Sequence, residues 1–150
     1  MGLLSRTRRG AERVQLVDGP PPPAPDPGPL LLRIVAEAVI LQDEAEAVLA
    51  AVGRHEHLGR VAPRGGPLVH RFFTLRDRLP RSPADPRLAR LAAQLDTILL
   101  HHALQVATAL EFLAAEGRSA QLADQVSAIT GLGAPAGVLE RIYRELRADH

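Results

Sequence analysis

Histidines are the residues of this chain best equipped for chemistry, because an imidazole can exchange a proton near neutral pH or ligate a metal. There are six of them, and His102 is out of place. On a helical projection it falls inside an apolar stripe, between Leu99 and Val106, whereas His101 projects to the opposite, polar face. The simplest expectation for His102 is a core or interface histidine whose ring nitrogens are satisfied by a carbonyl or a side chain. The alternative is a metal-binding or small-ligand-binding bundle centred on it. A metal would need more ligands, and the Glu-x-x-His pairs of carboxylate-bridged bundles are missing, since Glu37, Glu44 and Glu46 have no histidine one turn on. His55 and His57 could chelate from an extended segment, but they would have to recruit His70 or His102 to form a specific site. No metal and no cofactor is expected.

The arginines offer a second chemistry. Arg54, Arg60, Arg64, Arg71, Arg76, Arg78 and Arg81 stand against only Glu56 and Asp77. Arg71 and Arg78 lie two turns apart on one helix face, where they could meet an acidic partner or phosphate. A net charge of +1 and the lack of aromatics interleaved with these arginines disfavour general nucleic-acid binding. The chain has neither lysine nor asparagine; both have A/T-rich codons, so base composition accounts for much of the arginine content. Residues 119–147 resemble a helix-turn-helix in outline, with Arg141, Arg144 and Arg147 on the second helix, which makes a DNA-binding regulator the second functional alternative. The connection through Gly131–Pro135 is long for that motif, and Glu140 and Glu145 balance the arginines.

Covalent catalysis has little support. Ser5, Ser82, Ser119 and Ser127 lack the glycines of a nucleophile elbow, no glycine-rich phosphate loop follows a strand, and Asp96 and Glu111 have no clear partner. No catalytic residue is predicted, and the chain reads as a non-enzyme.

These side chains must be positioned by helices. The chain has 150 residues, room for one domain, and a core of Leu, Ala, Val and Ile with only 3% aromatics. Residues 1–29 hold Pro20–Pro23, Pro25, Pro27 and Pro29 and read as a flexible proline-rich arm; residues 30–150 read as an all-α bundle of about five helices. Within the arm, Arg13–Val17 alternates like a short strand, so Val14 and Leu16 are candidate docking residues. The first helix runs from Leu30 to Gly53, apolar enough to be either the centre of the bundle or a subunit interface. The second is predicted from Pro67 to Pro80 on a stripe of Leu68, Phe72, Leu75 and Leu79. The third starts at the Asp85-Pro86 cap and runs to Gly117. A fourth is capped by Ser119 and ends at Gly131, and a fifth opens at Pro135.

No cysteine is present, which excludes disulfides and thiolate metal sites and fits a reducing, cytoplasmic setting. No uncharged stretch reaches membrane-spanning length, so no membrane partner is expected. The sequence therefore predicts a protein–protein interaction or assembly module, self-associating as a homodimer or homo-oligomer, with an N-terminal docking arm and a protein partner it does not identify.

Overall fold

Two Asp-Pro pairs start the two longest helices in the same way. Asp26 accepts a bond from the Gly28 amide at 3.1 Å, and Asp85 accepts one from Arg87 at 2.8 Å. In each case the following proline occupies the first helical position, where an N–H would have no intrahelical acceptor. The computed structural model describes residues 19–22 and 26–150. Within them lie α1 (Pro27–Gly53), α2 (Leu58–Asp77), α3 (Pro86–Ala115), α4 (Ala120–Ser127) and α5 (Ala134–Ala148). A 3₁₀ turn, Glu116–Arg118, joins α3 to α4, and no strand occurs among the described residues.

The all-α, five-helix expectation is met, with shifted boundaries. α1 begins at Pro27 rather than Leu30, because Pro29 also falls in the first turn, where its missing N–H costs nothing. α2 begins nine residues before Pro67. His57 caps it, its Nδ1 accepting from the Gly59 amide at 3.0 Å. Pro63 and Pro67, four residues apart, both lie on the exposed side of the helix, so the carbonyls they leave without a donor face water. The opposite side, Val61, Gly65, Leu68, Phe72 and Leu75, is buried continuously, and that packing outweighs the two lost bonds. α4 closes at Ser127, short of Gly131.

α1 is the centre of the bundle. Leu31, Ile34, Val35, Ala38, Ala45 and Leu49 are fully buried, and the helix packs against α2, α3 and α5 and touches α4. Of the two roles expected for it, centre or subunit interface, the fold supplies the first. On α3, Leu91, Leu95, Ile98, Leu99, Val106 and Leu113 are buried as predicted, with Leu88 and Leu110 at the margin.

Two glycines allow elements to approach where a Cβ would collide. α1 ends at Gly53 as expected, and the left-handed conformation beyond it belongs to His55, at φ 56°. Gly53 instead makes room for the Ile129 carbonyl, which a Cβ there would meet at 2.4 Å. A Cβ on Gly65 would come within 2.9 Å of a Leu110 methyl. Gly53→Ala is therefore expected to cost roughly 1–3 kcal/mol, because a backbone carbonyl must move, and Gly65→Ala less, because a leucine end can swing aside. Urea unfolding of the two variants checks the order.

Candidate functional site

His102 is completely buried in the middle of the bundle and bonded to the only other buried polar side chain among the described residues, Gln42 of α1. The His102 Nε2 lies 2.9 Å from Gln42 Oε1. The Gln42 amide nitrogen donates in turn to the Ala136 carbonyl at 3.3 Å and, more weakly, to Glu140 at 3.5 Å. A carbonyl can only accept, so the Ala136 oxygen fixes the orientation of the amide and turns Oε1 toward the histidine. The imidazole proton therefore sits on Nε2. Nδ1 carries a buried lone pair with no partner among the described residues. Phe72 of α2 stands edge-on to the ring, centroids 5.5 Å apart and planes at 76°. Three helices and the start of α5 thus meet at one neutral imidazole. Gln42 is the member the sequence did not reveal, since a glutamine in an apolar stretch carries no motif.

The connection between α4 and α5 is clamped from both sides. Glu46 of α1 accepts from the Leu132 amide at 3.2 and 3.3 Å through its two oxygens, and His101 of α3 bonds the Leu132 carbonyl at 3.2 Å. The Leu132 side chain is itself buried. His101 was expected on the polar face; it is half-buried and holds this loop. The result is a hairpin pinned to the bundle, with Leu139, Ile142 and Leu146 inward and Arg141, Arg144 and Arg147 exposed.

The arginines expected to meet a partner are engaged within the chain. Arg78 bonds both oxygens of Glu37 at 3.2 and 3.1 Å, and Arg71 lies 3.6 Å from Glu44. Seven residues forward along α1 correspond to seven back along α2, so the two pairs register the antiparallel helices. Asp96, which had no visible partner in the sequence, receives Arg76 at 2.6 and 3.2 Å. Exposed pairs of this kind orient helices more than they stabilise them.

Concavities flank α2 on both sides. A cavity of about 530 Å³ lies between the end of α2 and the start of α3, with the Arg76–Asp96 pair in its wall. A groove of about 470 Å³ between α1 and α2 has Ala47, Val48 and Leu68 among its lining residues, with Asp43, Glu44 and Arg64 as the charged ones. Ile40, one turn ahead of Glu44 on the same stripe of α1, is 61% exposed, more than any other large hydrophobic residue described.

The histidines proposed as a metal site are not brought together. His57 caps α2, His102 is enclosed, and no group of three His, Asp or Glu side chains suited to a metal occurs among the described residues. His55 has different neighbours: its Nδ1 is 2.5 Å from Glu116 and its Nε2 is 2.6 Å from the Ser127 hydroxyl. Val14 and Leu16 lie outside the described residues. One helical stretch, Pro86–Arg118, is long and apolar enough by length and composition to cross a membrane; its buried stripe is packed against α1 and α2.

The chain matches no family model, no curated protein and no solved structure.

Burial, with a smaller push from neighbouring His101, lowers the His102 imidazole from 6.5 to about 4. The unfolded chain binds this proton near 6.5 and the folded chain only near 4. The stability contributed by the neutral ring is therefore complete above 6.5 and lost as pH falls to about 4. Between pH 7 and pH 4 the natural chain is expected to lose roughly 3 kcal/mol more than a His102→Gln variant, which keeps an N–H for Gln42. Urea unfolding of both proteins across that range measures the difference.

Proposed function

We propose that this chain is an assembly module that self-associates when the N-terminal arm of one copy enters the α1–α2 groove of another. The observation that carries this reading is the groove itself, an apolar floor with Asp43 and Glu44 on its α1 rim and Arg64 on its α2 rim, near the exposed Ile40. The segment Arg6–Val17 has the complementary composition, with Arg6, Arg8, Arg9 and Arg13 ahead of Val14, Leu16 and Val17. Apolar anchors with a charged rim are the usual makings of a peptide groove, with apolar burial giving affinity and charge giving register. The prolines between arm and bundle suit this role, because a polyproline segment extends at about 3.1 Å per residue and spans distance at low entropic cost. An arm passing from copy to copy is a head-to-tail contact, which closes into a ring or dimer according to the rotation it imposes.

The reading assigns Val14 and Leu16 as anchors and leaves Arg71 and Arg78 as internal struts. It places the chain in the cytoplasm and requires no cofactor.

Sedimentation velocity over a wide concentration range tests it with three proteins. The full chain is expected to associate as concentration rises. Deletion of residues 1–25, which leaves the Asp26 cap in place, and Asp43→Arg, which reverses charge on the groove rim, should each keep the protein monomeric. A full chain that stays monomeric throughout, or a deletion variant that associates equally well, contradicts the proposal.

A further inference from the structure

We infer that Ser127 is a nucleophile, activated by His55 and Glu116 for attack on activated acyl esters. This goes beyond the assembly reading and does not depend on it.

The three residues come from three separate parts of the fold: the α1–α2 connection, the end of α3 and the last residue of α4. Their order is that of a nucleophile, its base and the group that orients the base. Glu116 Oε2 lies 2.5 Å from His55 Nδ1, and His55 Nε2 lies 2.6 Å from Ser127 Oγ. A carboxylate on Nδ1 fixes the tautomer in which Nε2 is free to accept a proton, and the only hydroxyl bonded to that nitrogen is Ser127. The hydroxyl has a second acceptor, the Ala123 carbonyl at 3.2 Å, but that oxygen lies one turn back in α4 and already serves the helix. The shorter contact is to the imidazole.

The surroundings hold this geometry in place. His55 adopts φ 56°, the left-handed conformation that closes α1, with the Glu56 amide bonded to the Ala51 carbonyl at 3.1 Å. The His55 backbone amide is tied to Val52 at 2.9 Å. Gly53 lets the end of α1 come against the Val126 and Ile129 carbonyls, which sets the connection bearing His55 over the end of α4. The side chains of His55 and Glu116 are 36% and 28% exposed, so a small ester can reach them from solvent.

In the proposed step the Ser127 oxygen bonds to the acyl carbon as its proton passes to His55 Nε2. The bond from that carbon to the leaving oxygen breaks, and the leaving group departs as the anion or takes the proton from the imidazolium. The product is an ester on Ser127, which water cleaves with His55 again as base. Ser127 closes α4, so the nearby free backbone groups are carbonyls rather than the N–H donors of an oxyanion hole. The substrates are accordingly esters with good leaving groups, which need less stabilisation of the developing oxyanion.

The test uses the full chain and p-nitrophenyl acetate, with an acid quench that preserves serine esters and destroys acyl-imidazole, followed by peptide mapping. Acetyl is expected on Ser127 at a rate about a hundredfold above that at Ser119, the gain a positioned general base provides. Ser127→Ala should abolish it and His55→Gln reduce it to the Ser119 level, both with thermal melts unchanged. Glu116 acts through His55 as a positioning residue, so Glu116→Gln should slow acylation and Glu116→Asp restore part of the rate. Acetylation of Ser127 no faster than Ser119, or a folded His55→Gln variant that reacts as fast as the natural chain, overturns the inference.

Discussion

The structure depends on one constraint: α1 buries one face along its whole length, so every polar atom on that face must find a partner inside the bundle. A helix so placed would be indifferent to rotation and register if it were wholly apolar, because leucine and alanine pack in many arrangements at similar energy. Gln42 and Glu46 remove that freedom. Gln42 is satisfied only when the Ala136 carbonyl is on one side and His102 on the other. Glu46 is satisfied when it reaches the Leu132 amide. On the exposed side of the helix, Glu37 and Glu44 add ion pairs to Arg78 and Arg71. Four polar residues thus set the depth, rotation and direction of α1 relative to α2, α3 and α5.

Two of these residues, Glu37 and Glu44, engage arginines that the sequence left free for a partner. The uneven distribution of acidic residues on the first helix and arginines on the second is real, and part of it is used as the two helices pair, while Asp43, Arg60, Arg64 and Arg81 stay exposed. The accessible face of α1 includes Ile40, Asp43, Glu44 and Ala47, the last three lining the groove to α2. The opposite end of the bundle is organised by contacts made to the backbone. There Gly53 admits the Ile129 carbonyl, and the clamped Leu132 fixes where α4 stops and α5 begins. The contacts of His55 with Glu116 and Ser127 follow from that docking.

Much of this was legible in the sequence wherever the signal was local. Asp85-Pro86 marked the start of α3, the leucine stripe marked its inner face, and His102 stood out because an imidazole interrupted that stripe. The same Asp-Pro signal at Asp26 was hidden by the prolines around it. The start of α2 was missed because Pro63 and Pro67 read as punctuation, although their spacing of four put both on the solvent side. Contacts between distant segments left weaker traces. Glu37 and Glu44 share the seven-residue spacing of Arg71 and Arg78, a match that points to antiparallel pairing once both helices are known. His55, Glu116 and Ser127 share no motif, being 61 and 72 residues from histidine to each partner, and only the fold brings them together. Gln42 and Glu46 looked like breaks in an apolar run, and their importance lies wholly in what the other helices present to them.

If α1 is the member around which the rest is ordered, no part of the bundle can open it to solvent without unfolding everything. Native-state hydrogen exchange of the full chain, followed residue by residue in low urea, tests this directly. Amides from Ile34 to Leu49 are expected to exchange only through global unfolding, with the same urea dependence as those of α3 from Leu95 to Val106. Exchange of the α1 amides through a smaller opening, while α2 and α3 stay protected as a pair, would contradict the account.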